Sequence, residues 1–163
     1  MPTLSQVFSE HASFVWRALR GIGVPESDRE DLAQEVFLVV RKQLADYEER
    51  GAMRAWLVAI TRRVVADYRN RAHVRREQPR DAPPESAMDP RDQLEARSAL
   101  ERVDALLAEI AVEQRQVFVL YEVEGLTMPE IAEALGVPLQ TCYSRLHAAR
   151  DHVVSSFSKQ RDV

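Results

Sequence analysis

Apolar residues recur along this chain at helical spacings of three and four, and nowhere with the strict alternation of a strand. The first run covers about residues 4–20, with Val7, Phe14, Val15 and Leu19 among its apolar positions. A second starts near Ser27, where Ser27 and Glu30 have the spacing of a capping box. Its stripe is Leu32, Ala33, Val36, Phe37, Val40 and Leu44, which leaves Asp31, Gln34, Glu35, Arg41 and Lys42 on other parts of the surface. A third runs from about residue 52 to 76, with Trp56, Leu57, Ile60, Val64 and Tyr68 inward. Periodicity resumes with Leu94, Leu100, Val103, Leu106, Leu107 and Ile110, and a further helix covers about residues 113–123. All five glycines fall between these patterns, so each is expected to close or join a helix. The predicted class is all-α.

The stretch from Leu126 to Arg150 is the most specific. Thr127 and Glu130 have capping-box spacing, and Pro129 is tolerated in a first turn. Ile131, Ala132, Leu135 and Val137 are apolar around the turn glycine Gly136. Pro138 presets the next helix, on which Cys142, Leu146, Ala149 and Val153 share one face. Thr141, Ser144, Arg145 and His147 or Ala148 then face outward. Capped helix, glycine turn and second helix form a helix-turn-helix pattern, whose outward polar side chains suit base edges and phosphates. A plain helical hairpin with a solvated face has the same outline.

Composition changes sharply between residues 77 and 97. Four of the eight prolines (Pro79, Pro83, Pro84 and Pro90) lie there, with almost no large apolar residues. This predicts an extended, flexible linker. The organisation is thus two small helical domains, residues 1–78 and 98–163, joined by a linker over 79–97.

The net charge of −4 argues against DNA binding by bulk electrostatics, but its distribution does not. Residues 50–80 carry nine arginines and two acids, whereas residues 81–136 carry four positive and thirteen negative charges. Arg62, Arg63, Arg69, Asn70, Arg71, Arg75 and Arg76 make the third helix basic, and Arg50 and Arg54 flank its start. Capture of a phosphate backbone explains this density better than solubility does. Trp56 could stack on an unpaired base or fill core.

Other chemistry is thin. The four histidines show no ligand pattern, and the lone Cys142 reads as a small core residue. No phosphate-binding glycine loop or nucleophile constellation is present, so no catalytic residue, metal or cofactor is expected. No apolar run is long enough to span a bilayer and no signal peptide opens the chain, which points to the cytoplasm.

Three stretches together resemble the extracytoplasmic-function (ECF) sigma factors of the sigma-70 family of bacterial RNA polymerase. They are Asp31 to Phe37; Trp56 to Ile60 with Asp67 to Arg69; and Glu122 to Leu126 with Glu130 to Val137 and Ser144 to His147. The resemblance implies that residues 1–78 are sigma region 2. There Asp31, Gln34 and Glu35 would dock on the β′ clamp helices of core polymerase. The loop from Asp46 to Met53 and the following helix, with Arg54, Trp56, Arg62, Arg63, Arg69, Asn70 and Arg71, would open and read the −10 element. It implies that residues 98–163 are region 4, with Thr141, Tyr143, Ser144, Arg145 and His147 on the −35 element and another surface on the β flap. It implies promoter DNA, core polymerase and an anti-sigma factor as partners, and no membrane insertion. Arg63, Met53, Tyr143, Ala148 and Cys142 depart from the usual family pattern.

Two other readings share these features. A stand-alone helix-turn-helix regulator would bind duplex tightly without polymerase, but leaves Asp31 to Phe37 unexplained. An all-helical adaptor that binds only protein would be indifferent to charge reversal at Arg62, Arg69 or Arg145.

Overall fold

The computed structural model describes residues 1–49, 52–74 and 90–161, and all regular structure among them is helical. Helix α1 (Leu4–Ile22) starts from a capping box that the periodicity alone did not reveal. The Gln6 backbone N–H donates to Thr3 Oγ1 at 3.2 Å, and the Thr3 N–H donates to Gln6 Oε1 at 2.8 Å. Gly23 closes the helix in the left-handed region at φ 90°. Gly21, expected between helices, lies buried inside α1. There a Cβ would meet the Val119 side chain at 3.1–3.3 Å, so close packing rather than a turn requires its small size.

Helix α2 (Glu26–Gln43) begins before the expected Ser27 cap, and the Ser27–Glu30 box does not form. Pro25 occupies the cap instead, at φ −56° and ψ 144°. Its fixed ring suits the turn into the helix, and it carries Ser27 into the first turn, out of cap geometry. Glu26 and Asp28 in that turn supply the negative charge the helix start favours. A short 3-10 turn, Leu44–Asp46, precedes helix α3 (Met53–Val74). The inward stripes meet as expected: Phe14, Leu19, Val36, Val40, Leu57 and Ile60 are all essentially sealed from solvent.

Helix α4 (Pro90–Ala108) takes in residues 90–97 of the expected linker, while residues 75–89, Arg75 and Arg76 among them, lie outside the described residues. Proline at the first helical position is well placed to start a helix, which explains the earlier beginning. Helix α5 (Val112–Phe118) runs into a π-helical turn, Val119–Val123. Helix α6 (Met128–Leu135) has the predicted Thr127–Glu130 capping box. Gly136 ends it at φ 66°, and helix α7 (Leu139–Arg161) follows. Cys142, Leu146 and Ala149 are buried, as the spacing predicted.

The two halves are packed on each other. Helix α3 lies against α6, and α1 against α5 and the π turn. One continuous apolar cluster runs from Val7 in α1 to Leu146 in α7.

Candidate nucleic-acid interface

Helices α6 and α7 cross at Gly136, whose left-handed conformation lets the chain reverse in a few residues. Ile131, Leu135, Cys142 and Leu146 seal the inner side of the pair. Anchoring α7 by that face turns its other residues outward. Tyr143, Ser144 and His147 are exposed, and Thr141 and Arg145 are half-buried. Ser144 Oγ donates back to the Gln140 carbonyl at 3.1 Å, a local bond that groove contacts could replace. Burial raises the Cys142 thiol above its ordinary value, so it stays a neutral filler of the inner face.

On α2, Asp31 and Gln34 stand exposed on the side away from the Leu32–Val36–Val40 stripe. Glu35 is half-buried and accepts from Arg71 Nη2 on α3 at 2.8 Å. That bond holds the Arg71 guanidinium above its ordinary range. A residue expected to face polymerase and one expected to face DNA are therefore neighbours.

The arginines of α3 divide into two sets. Arg63, Asn70 and Arg71 point outward. Arg54, Arg62 and Arg69 donate to main-chain carbonyls of other elements, although Arg62 and Arg69 themselves stay exposed. Arg69 Nη2 donates to Ile22 O at 2.8 Å, fastening α3 to the end of α1. Arg54 Nη1 donates to Glu124 O at 3.0 Å, with its guanidinium 5.2 Å from the centre of the Phe14 ring. Arg62 Nη1 donates to Leu135 O at 2.6 Å, at the negative end of α6. Trp56 is half-buried and packs on Tyr47, ring centres 4.7 Å apart, so it serves the core and keeps some exposure. Arg50 lies outside the described residues.

Sequence reasoning missed the residues that join the halves. Arg17 grips Glu124 with two bonds, Nε to Oε1 at 2.5 Å and Nη2 to Oε2 at 3.1 Å. The Glu124 side chain is only 2% exposed, and the bond raises the Arg17 guanidinium above its ordinary value. Arg20 Nε lies 2.5 Å from Asp104 Oδ1, with Arg29 Nη2 at 3.8 Å from the same oxygen. Arg115 is buried and donates to Ile110 O at 3.0 Å. Burial draws the Arg29 and Arg115 guanidinium groups down, but the group remains a cation at neutral pH. No periodicity marks Glu124 or Asp104, because each is polar at a position that only the other half defines.

Among the described residues, no His, Cys, Asp and Glu are grouped so as to hold a metal ion. No helix among them is long and apolar enough to cross a membrane.

These modules coincide with two known sequence families. Residues 7–76 match sigma-70 region 2, and residues 100–153 match sigma-70 region 4. The chain is 33% identical over 163 residues to the ECF RNA polymerase sigma factor SigE of Mycolicibacterium smegmatis, an alignment that covers 98% of this chain and 63% of that protein. It is 31% identical over 141 residues to a probable RNA polymerase sigma-C factor of Mycobacterium bovis, covering 86% of this chain and 76% of the relative. In structure it resembles CnrH in complex with the cytosolic domain of CnrY, with a TM-score of 0.71 at 25% identity over 96% of this chain and 88% of that one. The fold is also that of the sigma factor RpoE of Bartonella quintana, solved in complex with the anti-sigma factor NepR, with a TM-score of 0.66 at 20% identity over 93% of this chain and 96% of the other. With both regions present in order, on two helical modules that carry an outward helix-turn-helix face, the chain belongs to the extracytoplasmic-function sigma factors of the sigma-70 family.

Proposed function

We propose that the chain is a promoter-specificity subunit that mounts on core RNA polymerase and directs it to −10 and −35 elements. The observation that carries this reading is the succession of the two sigma regions on two modules, the second with the α6–Gly136–α7 helix-turn-helix. Residues 1–78 serve as the core-binding and −10 module, residues 79–97 as the tether, and residues 98–163 as the −35 module. Asp31, Gln34 and Glu35 on α2 dock on the β′ clamp helices, and another surface of the second module meets the β flap. Arg54, Trp56, Arg62, Arg63, Arg69, Asn70 and Arg71 serve the −10 element, while Thr141, Tyr143, Ser144, Arg145 and His147 serve the −35 element.

The energetics suit an assembly. A chain of net charge −4 captures DNA weakly by itself. Mounted on polymerase, each module raises the effective concentration of the other at its element. Opening the duplex costs a few kcal/mol for each unstacked step, offset when freed bases stack on aromatic and guanidinium groups. Bonds are made by the polymerase and none by this chain, which acts in the cytoplasm. An anti-sigma factor is a fitting regulator, since the similarly folded sigma factor RpoE was solved with the anti-sigma factor NepR.

Run-off transcription with purified core polymerase tests the reading. Initiation from specific promoters is expected only when the chain is added. Arg145→Ala should lower output from an intact promoter by roughly 5- to 150-fold, as for loss of a base or phosphate contact of about 1–3 kcal/mol, and have little effect once the −35 element is scrambled. No promoter-dependent initiation on any genomic fragment would refute the assignment.

A further inference from the structure

The second helix of the helix-turn-helix carries an apolar pair that its own packing does not use. Leu139 opens α7 and is 44% exposed, and Tyr143, one turn on, is 43% exposed. A single exposed apolar side chain needs no explanation, but two at i and i+4 form one patch. The inner face of α7 is sealed without them, by Cys142, Leu146 and Ala149. They stand in the N-terminal turns, the part of such a helix that reaches base edges in the major groove.

The polar groups around the pair narrow what it can read. From Pro138 to Ser144 the chain has no lysine or arginine, the side chains that recognise guanine through O6 and N7. Ser144 spends its hydroxyl hydrogen on the Gln140 carbonyl at 3.1 Å, so it offers a base lone pairs and no donor. Arg145, the first cation, is half-buried and lies near enough to the Cys142 thiol to oppose the rise that burial causes there. That places it toward the inner flank of α7, suited to a phosphate at the edge of the groove. Gln140 is exposed, and its amide matches adenine. What remains for Leu139 and Tyr143 is the one apolar group a base pair shows in the major groove, the C5-methyl of thymine.

We propose that Tyr143, with Leu139 beside it, selects thymine in the −35 element by covering its C5-methyl group. The inference rests on the sigma-factor reading and names the base feature that the same helix recognises. The ring does the reading and its hydroxyl is not required.

The test is run-off transcription by core polymerase with limiting full-length chain, on a promoter where scrambling the −35 element lowers output. Uracil replaces every thymine of that element; it keeps the base pair and lacks the methyl. Uracil in the spacer between the elements is the control. Wild type should lose about fourfold in output for each methyl in contact, as for one buried methyl group, and nothing from uracil in the spacer. Tyr143→Phe should keep the full loss. Tyr143→Ser should give lower output on thymine and equal output on thymine and uracil, and Leu139→Ser should shrink the ratio. Both positions are exposed, so thermal midpoints near wild type are expected, and the wild-type ratio needs no variant at all. The proposal is overturned if wild type treats thymine and uracil alike, or if the required element holds no thymine. It is also overturned if Tyr143→Ser lowers output but keeps the wild-type ratio, which would make the patch a polymerase contact. Any of these results with the −35 element still required leaves the sigma-factor reading standing. Indifference of wild type to both promoter elements refutes that reading instead.

Discussion

Single side chains in this protein often hold two allegiances. Glu35, proposed to meet core polymerase from α2, also takes Arg71 at 2.8 Å across to α3. The pair lies at the surface, with Arg71 exposed and Glu35 half-buried, so the bond adds little to stability and can be exchanged for a partner's side chain. Glu35→Lys should therefore weaken co-purification with core polymerase while leaving the thermal midpoint nearly unchanged; a large fall in midpoint would show that the residue belongs to the fold instead. His11 behaves differently. Its Nδ1 is buried without a hydrogen-bond partner among the described residues, and Glu10 lies 3.9 Å from Nε2. Burial lowers its pKa below the ordinary 6.5, with Glu10 opposing and Arg54 assisting. The unfolded chain therefore takes up the proton first as pH falls. The stabilising contribution is complete above about 6.5 and is lost as pH drops toward the folded value. Denaturant melts between pH 7.5 and 5 should show this loss, and His11→Gln should flatten it; equal slopes would exclude His11 as the source.

At the scale of elements, end chemistry decides how far each helix runs. Thr3 and Thr127 both close capping boxes, but only the second was read from the sequence. Thr127 was legible because Pro129 and a clean apolar run follow it. Thr3 was hidden because Gln6 is less distinctive than glutamate at that position. The Ser27–Glu30 pair had the right spacing and failed, since Pro25 had already fixed the chain's approach to α2. Spacing names a candidate cap; the residue before it selects among candidates. Thr127→Ala should cost about 1 kcal/mol and lower the thermal midpoint by roughly 2–4 °C. Calorimetry checks this, and a change below half a degree would mean the box carries no net stability. The π turn at Val119–Val123 had no sequence signature, because its extra residue is set by what Val119 meets on α1.

Across the whole molecule, the alternating charge blocks acquire a purpose that their order along the chain conceals. Arg17 and Arg20 on α1 meet Glu124 and Asp104 from the acidic stretch after residue 80. The acidic stretch thus neutralises arginines of the other module as well as limiting bulk attraction to DNA. With one apolar cluster running through both modules, the free chain should unfold in a single calorimetric transition. Gly21→Leu should divide it into two. Two separate transitions in wild type would show that the modules are energetically independent.

Helix periods, the glycine turn of the helix-turn-helix and the outward set on α7 were written in the sequence, because each depends on neighbours within a few residues. So was the family, carried by three short motifs in order. The destination of the α3 arginines was not. Arg62 and Arg63 are adjacent and chemically identical, yet one caps the end of α6 while the other turns back to its own helix at Ala59 O. Only the docking of the second module distinguishes them, because a guanidinium commits to whichever carbonyl or phosphate the packed surfaces bring within about 3 Å.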